Sequence, residues 1–305
     1  MYGNSQEGGG TDRPAHPKKR ITAPLLRARK GGEAITMVTA YDFTMARLLD
    51  ESGVDMLLVG DSLGMVIQGA ETTIPVTLDE ISYHTRAVAR GAHFAHVVAD
   101  MPFMSFQVSA VQALENAGKL VKEGMAHSVK LEGGIEVAEH VHRITRAGIP
   151  VVGHVGLTPQ SFHALGGFKV QGKSSEAAQR ILEDAVALEQ AGAFAIVLEA
   201  IPPDVAAQIT RAVSVPTIGI GAGVECDGQV LVCYDMFGMS LGHRPKFAKV
   251  FAELGEAMQT ATRTYIAEVR AGTFPAEEQC YAQSVAPAAP SAQRSKRGRH
   301  KLAAV

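Results

Sequence analysis

A single repeated unit constrains the fold of this chain more than any other feature. A helical stretch ends near a glycine, and a short apolar segment and then a polar residue follow. Glycine suits the left-handed position that commonly ends a helix. Apolar strands that alternate with amphipathic helices indicate a parallel sheet covered by helices. The glycines and the segments after them are Gly53 with 56–59, Gly91 with 96–99, Gly124 with 128–131, Gly148 with 149–152 and Gly192 with 194–198.

The same unit extends to eight strands. Three further apolar segments, at 36–39, 216–220 and 229–233, fit the spacing. The stretch 77–90 is predicted to be a helix, because Thr77 and Glu80 have the spacing of a capping box. Eight units predict a (β/α)8 barrel of the TIM type, closed by a long final helix over 245–271. An open, doubly wound sheet is the alternative.

Composition divides the chain into three predicted parts. Residues 1–20 form an N-terminal extension, 21–281 the catalytic barrel and 282–305 a basic tail rich in Ala, Pro and Ser, and we expect both ends to be disordered. The net charge of −2 combines +2 over 1–20 and +5 over 281–305 with −9 between them. Because the body is acidic, we expect no nucleic-acid partner.

The cellular location of the protein is also predicted from composition. No apolar run approaches the ~18 residues of a membrane span, and residues 1–10 lack the apolar core of a signal peptide, so neither membrane insertion nor secretion is expected. The three cysteines have no paired spacing, which argues against disulfides and cysteine-bound zinc. We therefore predict a cytoplasmic protein.

Polar residues stand where five of the predicted strands end. The carboxyl ends of the strands of a parallel barrel meet at one mouth, where active sites lie. Any one of these acids is compatible with a helix cap, but carboxylates on three consecutive strands repel one another unless a cation neutralises them. Oxygen ligands favour a hard divalent ion, which predicts Mg²⁺. The residues are Asp61, Asp100, Glu132, His154 and Glu199.

Two further observations assign roles at this mouth. Lys130 stands two residues before Glu132, so both side chains share one face of the strand. A lysine inside the barrel requires an acidic neighbour or an anionic ligand, although a lysine exposed at the rim is the simpler alternative. Glu199 lies beyond the strand that ends at His154, which leaves it outside the three-acid cluster and available as a base.

Two short motifs suggest other functions. Residues 60–64 read GDSLG and satisfy the GxSxG pattern of serine hydrolases, which requires a helix directly after the serine. Here the next helix is predicted only at Thr77, which argues against a hydrolase. Residues 218–223 read IGIGAG and lack the third glycine of a dinucleotide-binding loop, so they predict either a structural turn or a set of N–H groups facing an anion.

Eight segments of the chain together carry a family resemblance. They are VTAYD (38–42), VGDSLGMVIQG (59–69), KLEGG (130–134), GHVGLTPQS (153–161), GGFKVQG (166–172), IGIGAG (218–223), CDGQVLV (226–232) and PKFAK (245–249). In this order they resemble the ketopantoate hydroxymethyltransferase family of pantothenate and coenzyme A synthesis. The resemblance covers about residues 21–280 and implies a (β/α)8 barrel that binds Mg²⁺. It also implies transfer of a one-carbon unit from 5,10-methylenetetrahydrofolate to 3-methyl-2-oxobutanoate, and assembly as a homodecamer.

The resemblance also implies a role for each site residue. The metal ligands correspond to Asp61, Asp100 and Glu132, and the catalytic base to Glu199. The substrate contacts correspond to Asp61, Ser62, Asp100, Lys130 and His154. The chain departs from the family at 279–281, where Gln-Cys-Tyr replaces the usual segment. Two alternatives remain: an Mg²⁺-dependent barrel of the isocitrate lyase or phosphoenolpyruvate mutase type, and a binding barrel without catalysis.

Overall fold

The computed structural model describes residues 19–242 and 244–281. The chain divides into two compact units after Glu256. Most of the predicted terminal segments, 1–18 and 282–305, lie outside the described residues, so their disorder stays a prediction. Within the described part of the chain, no helix combines the length and the apolar character that crossing a bilayer requires.

The first unit contains a closed barrel of eight parallel strands, which pair in chain order from β1 to β8 and back to β1. This arrangement confirms the predicted (β/α)8 barrel, and the doubly wound alternative is wrong. The strands are β1 (Ile35–Thr39), β2 (Met56–Val59), β3 (His96–Asp100), β4 (Ser128–Glu132), β5 (Val151–Gly156), β6 (Ala195–Glu199), β7 (Thr217–Ile220) and β8 (Gly228–Leu231).

Helices connect the strands of this unit, and the longer ones between β2 and β6 pack against the strands. The α-helices are α1 (Ala23–Arg27), α2 (Phe43–Glu51), α3 (Leu63–Val66), α4 (Leu78–Gly91), α5 (Ala110–Lys122), α6 (Ala138–Arg146), α7 (Phe162–Leu165), α8 (Ser175–Gln190), α9 (Pro203–Ala212), α10 (Cys233–Met236) and α11 (Leu254–Ala271). Short 3-10 turns lie at Ile135–Val137, Pro159–Ser161 and Glu277–Gln279. The second unit contains the greater part of α11 and the last of these turns.

The predicted final helix began too early. Its sequence pattern started at Pro245, but α11 begins at Leu254. The N–H groups of Phe251 and Leu254 donate to the carbonyls of Met236 and Phe237 at the end of α10, and not to carbonyls one helical turn earlier. Pairing with α10 therefore holds this segment outside the helix.

Helix α4 begins where its sequence signature predicts. The hydroxyl of Thr77 accepts a hydrogen bond from the Glu80 N–H, and the Glu80 carboxylate accepts one from the Thr77 N–H at 2.7 Å. These reciprocal bonds satisfy donors that the first helical turn leaves free.

We expect Thr77→Ala to lower the free energy of unfolding by about 1 kcal/mol, the typical cost of losing an N-cap side chain. Thr77→Ser keeps the hydroxyl and is the matched control, which should lose much less. Urea denaturation followed by circular dichroism measures both values. Equal stability of the alanine and serine variants would show that the cap contributes nothing.

Alternation along the strands determines which side chains fill the barrel. On β4, Ser128, Lys130 and Glu132 share one face, while Val129 and Leu131 pack in the apolar layer that contains the outer helices. A second apolar cluster contains Leu26 of α1 and strand residues such as Val98 and Val152. Along β3 and β5, these residues alternate with residues of the outer apolar layer. Lys130 therefore lies inside the barrel, and the exposed alternative for this lysine is wrong.

Candidate active site

The strand register brings the predicted site residues to one end of the barrel. Across β3 and β4, Asp100 pairs with Lys130, and across β4 and β5, Glu132 pairs with His154. Glu199 occupies the last position of β6, opposite Gly156 of β5. Asp100, Glu132 and Glu199 end their strands, whereas Lys130 and His154 lie two residues before the ends of β4 and β5. The fifth strand therefore runs two residues beyond its predicted end at His154. All five residues lie at or near the carboxyl end of the barrel.

Lys130 is at the centre of this group and is only 3% exposed. Its Nζ lies 2.9 Å from Asp100 Oδ1, 3.8 Å from Glu132 Oε1 and 3.2 Å from His154 Nδ1. Burial alone would lower the pKa of Lys130, but Asp100, Glu132 and Asp61 together raise it above its ordinary value. The lysine is therefore a permanent buried cation among three acids.

Two of the acids around Lys130, Asp61 and Glu132, are held in an environment that disfavours their ionised form. Burial first, and then the like charge of Asp100, raise the pKa of Asp61 to about 8. Burial likewise raises the pKa of Glu132 well above its ordinary value, although Lys130 opposes the shift. Asp61 and Asp100 are direct neighbours, because the N–H of Asp61 donates to Asp100 Oδ2 at 3.2 Å. If all three carboxyl groups were ionised, the single positive charge of Lys130 would not balance their three negative charges.

His154 stands between Lys130 and Glu199. Burial and the adjacent Lys130 cation lower the pKa of His154 well below its ordinary value, so its ring is neutral. Lys130 has only protons to donate, which makes Nδ1 the acceptor and places the ring proton on Nε2. His154 Nε2 lies 3.2 Å from Glu199 Oε2. Although these two atoms are close, Nε2 makes no hydrogen bond within the described part of the chain, so the histidine is a neutral neighbour of Glu199 and not a hydrogen-bond donor to it.

Glu199 differs from the other three acids in its exposure and its neighbours. Its side chain is 16% exposed, against 2–3% for those of Asp100 and Glu132, so it faces the mouth of the barrel. Burial raises the pKa of Glu199 to about 7, with Lys130 acting in the opposite direction. A carboxyl group with a pKa near neutrality is suited to gain and lose a proton.

The Ser62 hydroxyl forms a hydrogen bond with a tyrosine and not with a histidine. Helix α3 begins directly after Ser62, so the predicted absence of a helix before Thr77 is wrong: the four residues Leu63–Val66 are too few for the sequence to reveal a helical period. The hydrolase reading still fails on geometry. Ser62 has unstrained right-handed helical angles, and its Oγ lies 2.8 Å from Tyr41 Oη.

The glycines at 219–223 have a packing role. Gly221 and Gly223 both have positive φ angles, of 63° and 85°. A Cβ atom at Gly221 would lie 2.7 Å from the Phe247 ring, and one at Gly223 equally close to Pro203. This contact favours the structural-turn interpretation of the motif.

Two residues of the site carry no sequence signal strong enough to single them out. Tyr41 is buried beside Ser62, and Gln160 is buried on the 3-10 turn after β5. Gln160 Nε2 donates to Asp61 Oδ2 at 2.9 Å, and its backbone N–H donates to Glu132 Oε2 at 3.0 Å. Both residues lie within segments that carry the family resemblance, but neither stands directly at a strand end.

The donor chemistry of this cluster fits a hard divalent cation. Glu132 Oε1 is buried without a hydrogen bond in the described part of the chain, with Lys130 Nζ 3.8 Å away, whereas Asp100 Oδ1 contacts Lys130 Nζ at 2.9 Å. As they are arranged, no three His, Cys, Asp or Glu side chains among the described residues form a ready metal site. Mg²⁺, however, commonly takes only one or two protein carboxylates and completes its octahedron with waters and substrate. The adjacent pair of Asp61 and Asp100 meets that requirement.

The barrel and its buried lysine–carboxylate cluster place the chain in the class of (β/α)8-barrel enzymes. The model of one family, ketopantoate hydroxymethyltransferase, matches residues 20–277. The chain belongs to this family. It is 57% identical over 264 residues to 3-methyl-2-oxobutanoate hydroxymethyltransferase of Syntrophus aciditrophicus (strain SB), a match that covers 86% of this chain and 97% of the relative. The protein of the same name from Clostridium novyi (strain NT) is 55% identical over 263 residues, with 86% and 96% covered.

Solved structures with the same fold are more distant in sequence. A phosphonopyruvate hydrolase in complex with oxalate and Mg²⁺ aligns with a TM-score of 0.56 at 15% identity, covering 86% of this chain and 92% of that one. A 2,3-dimethylmalate lyase, described as a member of the PEP mutase/isocitrate lyase superfamily, aligns with a TM-score of 0.55 at 17% identity, covering 88% and 93%. At such low identity, these likenesses establish the fold alone.

Proposed function

We propose that this chain transfers a hydroxymethyl group from 5,10-methylenetetrahydrofolate to 3-methyl-2-oxobutanoate, and so forms ketopantoate. Its family and the names of its relatives support this reaction. The structural observation that carries the proposal is Glu199, a carboxyl group with a pKa of about 7 at the edge of a buried cluster built for an anionic, chelating ligand.

The lysine–acid cluster would bind the 2-oxo acid. Mg²⁺ held by Asp61 and Asp100, with Glu132 beside them, would polarise the keto oxygen as a Lewis acid. Lys130 supplies a fixed positive charge next to the substrate carboxylate and the negative charge that develops on the keto oxygen. The Ser62 hydroxyl, which Tyr41 orients, is available to the substrate carboxylate.

Glu199 is then the base that removes the C3 proton. The C3–H bond breaks, its proton goes to the Glu199 carboxylate, and its electron pair forms the enolate. C3 of the enolate bonds to the methylene carbon of the folate as the first of that carbon's two carbon–nitrogen bonds breaks. Water then displaces the second nitrogen and leaves the hydroxymethyl group on C3. The two nitrogens take up the proton released from C3 and one proton from water, which gives tetrahydrofolate. His154, whose Nε2 lies 3.2 Å from Glu199 Oε2, would limit the movement of this carboxylate beside C3.

The central test is hydrogen exchange at C3. With Mg²⁺ present and folate absent, the protein in D₂O should replace the C3 hydrogen of 3-methyl-2-oxobutanoate by deuterium, and the proton NMR methyl doublet should collapse to a singlet. Two controls apply: chelation of Mg²⁺ should stop the exchange, and 3,3-dimethyl-2-oxobutanoate, which has no C3 hydrogen, should not change. If the C3 hydrogen persists with metal-loaded protein, the proposed function is wrong.

The folate requirement separates this reaction from the alternative chemistry. An enzyme of the isocitrate lyase or phosphoenolpyruvate mutase type would act on its oxo acid without a one-carbon donor. Formation of ketopantoate only when 5,10-methylenetetrahydrofolate is added would therefore distinguish the two. The homodecamer stays a prediction from the resemblance, and the cytoplasmic location stays a prediction from composition.

A further inference from the structure

Gln160 connects two of the site carboxylates from a loop that carries none of them. It lies on the 3-10 turn Pro159–Ser161, directly after β5, and is 5% exposed. Its side chain reaches Asp61, which follows β2, while its backbone N–H reaches Glu132 of β4. One residue therefore sets the separation between acids that come from non-adjacent strands.

The orientation of the Gln160 amide is determined by its partners. Nε2 donates to two acceptors, Asp61 Oδ2 and the Met101 carbonyl, each at 2.9 Å. Oε1 accepts from Gln107 Nε2 at 3.1 Å. A reversed amide would place Oε1 against the Met101 carbonyl oxygen, which can only accept, and Nε2 against the donor Gln107 Nε2. The donor side of the amide therefore faces Asp61.

These contacts hold one oxygen of each carboxylate and leave the second oxygen of Glu132 without a hydrogen bond in the described part of the chain. Gln160 occupies Oδ2 of Asp61 and Oε2 of Glu132, and the second oxygen of Glu132, Oε1, is buried. A carboxylate with one oxygen held by a neutral donor is fixed in rotation, and its other oxygen can face a cation. A neutral amide achieves this without adding another charge to the cluster.

We propose that Gln160 is a positioning residue that orients Asp61 and Glu132 for a divalent cation, and that Gln107 in turn orients Gln160. This inference rests on the proposed function in so far as the cluster binds Mg²⁺. It assigns to the loop after β5 a role in metal affinity, although that loop supplies no carboxylate.

The test is Mg²⁺ binding, measured by calorimetry with Mg²⁺ alone, in Gln160→Met. This substitution keeps the side-chain length and the backbone N–H to Glu132 but removes both donors of the amide. We expect Mg²⁺ affinity to fall about 10- to 100-fold, the usual effect of losing a hydrogen bond to a metal ligand. Gln107→Met should also lower the affinity for Mg²⁺, but by a smaller factor. Because Gln107 is exposed, this variant should fold and can test the proposal if Gln160→Met does not fold.

Two controls separate positioning from loss of structure. Gln179→Met makes the same replacement at an exposed position on α8 and should leave Mg²⁺ affinity unchanged. Thr77→Ala lowers stability away from these contacts and should also bind Mg²⁺ normally. Among variants that fold, only those at Gln160 and Gln107 should lose affinity at a temperature well below their unfolding midpoints.

The outcomes for this inference and for the proposed function are distinct. Unchanged Mg²⁺ affinity in Gln160→Met overturns the positioning role and leaves the proposed function standing. Wild-type protein that binds Mg²⁺ but exchanges no C3 hydrogen overturns the proposed reaction alone. Wild-type protein that binds no Mg²⁺ overturns the positioning role, because there is then no cation for Gln160 to serve.

Discussion

Glu199→Gln should abolish the exchange of the C3 hydrogen of 3-methyl-2-oxobutanoate while Mg²⁺ still binds. The amide has the shape of the carboxyl group but cannot take up a proton, so the variant loses the contribution of a general base, about 10²- to 10⁴-fold in rate. Glu199 lies outside the pair formed by Asp61 and Asp100. Proton NMR measures the exchange and calorimetry the affinity for Mg²⁺.

The pH dependence of the wild-type exchange gives an independent reading of the same residue. Only ionised Glu199 can accept a proton, and burial raises its pKa to about 7. The exchange rate should therefore rise as the pH increases through about 7 and then level off. In Glu199→Gln this rise should be absent. A rate that already levels off near pH 5 would mean that Glu199 is not the base.

Stability provides the control for this variant. A raised pKa means that folding favours the protonated carboxyl group, so the contribution of Glu199 is most favourable below its unfolded pKa and is lost as the pH rises through about 7. Glu199→Gln should therefore equal or exceed the wild type in stability at pH 8. The matched control Glu176→Gln, an exposed position at the start of α8, should leave exchange unchanged and should lower stability by no more than about 1 kcal/mol, the contribution of an acid to a helix N-terminus. Normal exchange in Glu199→Gln would remove this residue from its role.

How far the sequence predicts the site depends on where each residue stands in the repeated unit. Asp100, Glu132 and Glu199 end their strands, so strand counting alone places them at one mouth. Lys130 follows from the two-residue period that it shares with Glu132. These assignments need only the barrel, because closure of the sheet converts positions far apart in the chain into neighbours.

Residues on the loops could not be predicted in this way. Gln160 and Tyr41 act through hydrogen bonds whose partners lie 99 and 21 positions away, and no periodicity relates such positions. The start of α11 was missed for a related reason, since pairing with Met236 and Phe237 overrides a local helical pattern. The order of the strands in the barrel is enough to predict which strand ends are neighbours. Contacts between loops also require the three-dimensional path of each loop, which the strand order does not give.

The charge balance at the centre of the barrel leads to the largest expected effect on stability. Lys130 is a buried cation that faces three acids, and its contacts with Asp100 and Glu132 are both nearly free of solvent. Removing one member of a buried ion pair leaves the others unneutralised, which costs about 3–5 kcal/mol. We therefore expect Lys130→Met, which keeps the length of the side chain, to lower the free energy of unfolding by about this amount at pH 7 in the presence of a chelator.

The dependence on pH and Mg²⁺ distinguishes lost charge from lost packing. Without Lys130 the acids favour their protonated form more strongly, so the deficit of Lys130→Met should shrink as the pH falls from 7 toward 5, whereas a packing defect would persist. Saturating Mg²⁺ should restore part of the stability, by about 2.7 kcal/mol at a concentration of 100 times the dissociation constant. Lys119→Met removes a lysine from an exposed pair with Asp79 and should be nearly as stable as the wild type under every condition. Denaturant titrations at each pH, with and without Mg²⁺, measure these differences. If the loss of stability in Lys130→Met depends on neither pH nor Mg²⁺, the lysine is not needed to neutralise the acids. In that case the cluster does not need an added cation either.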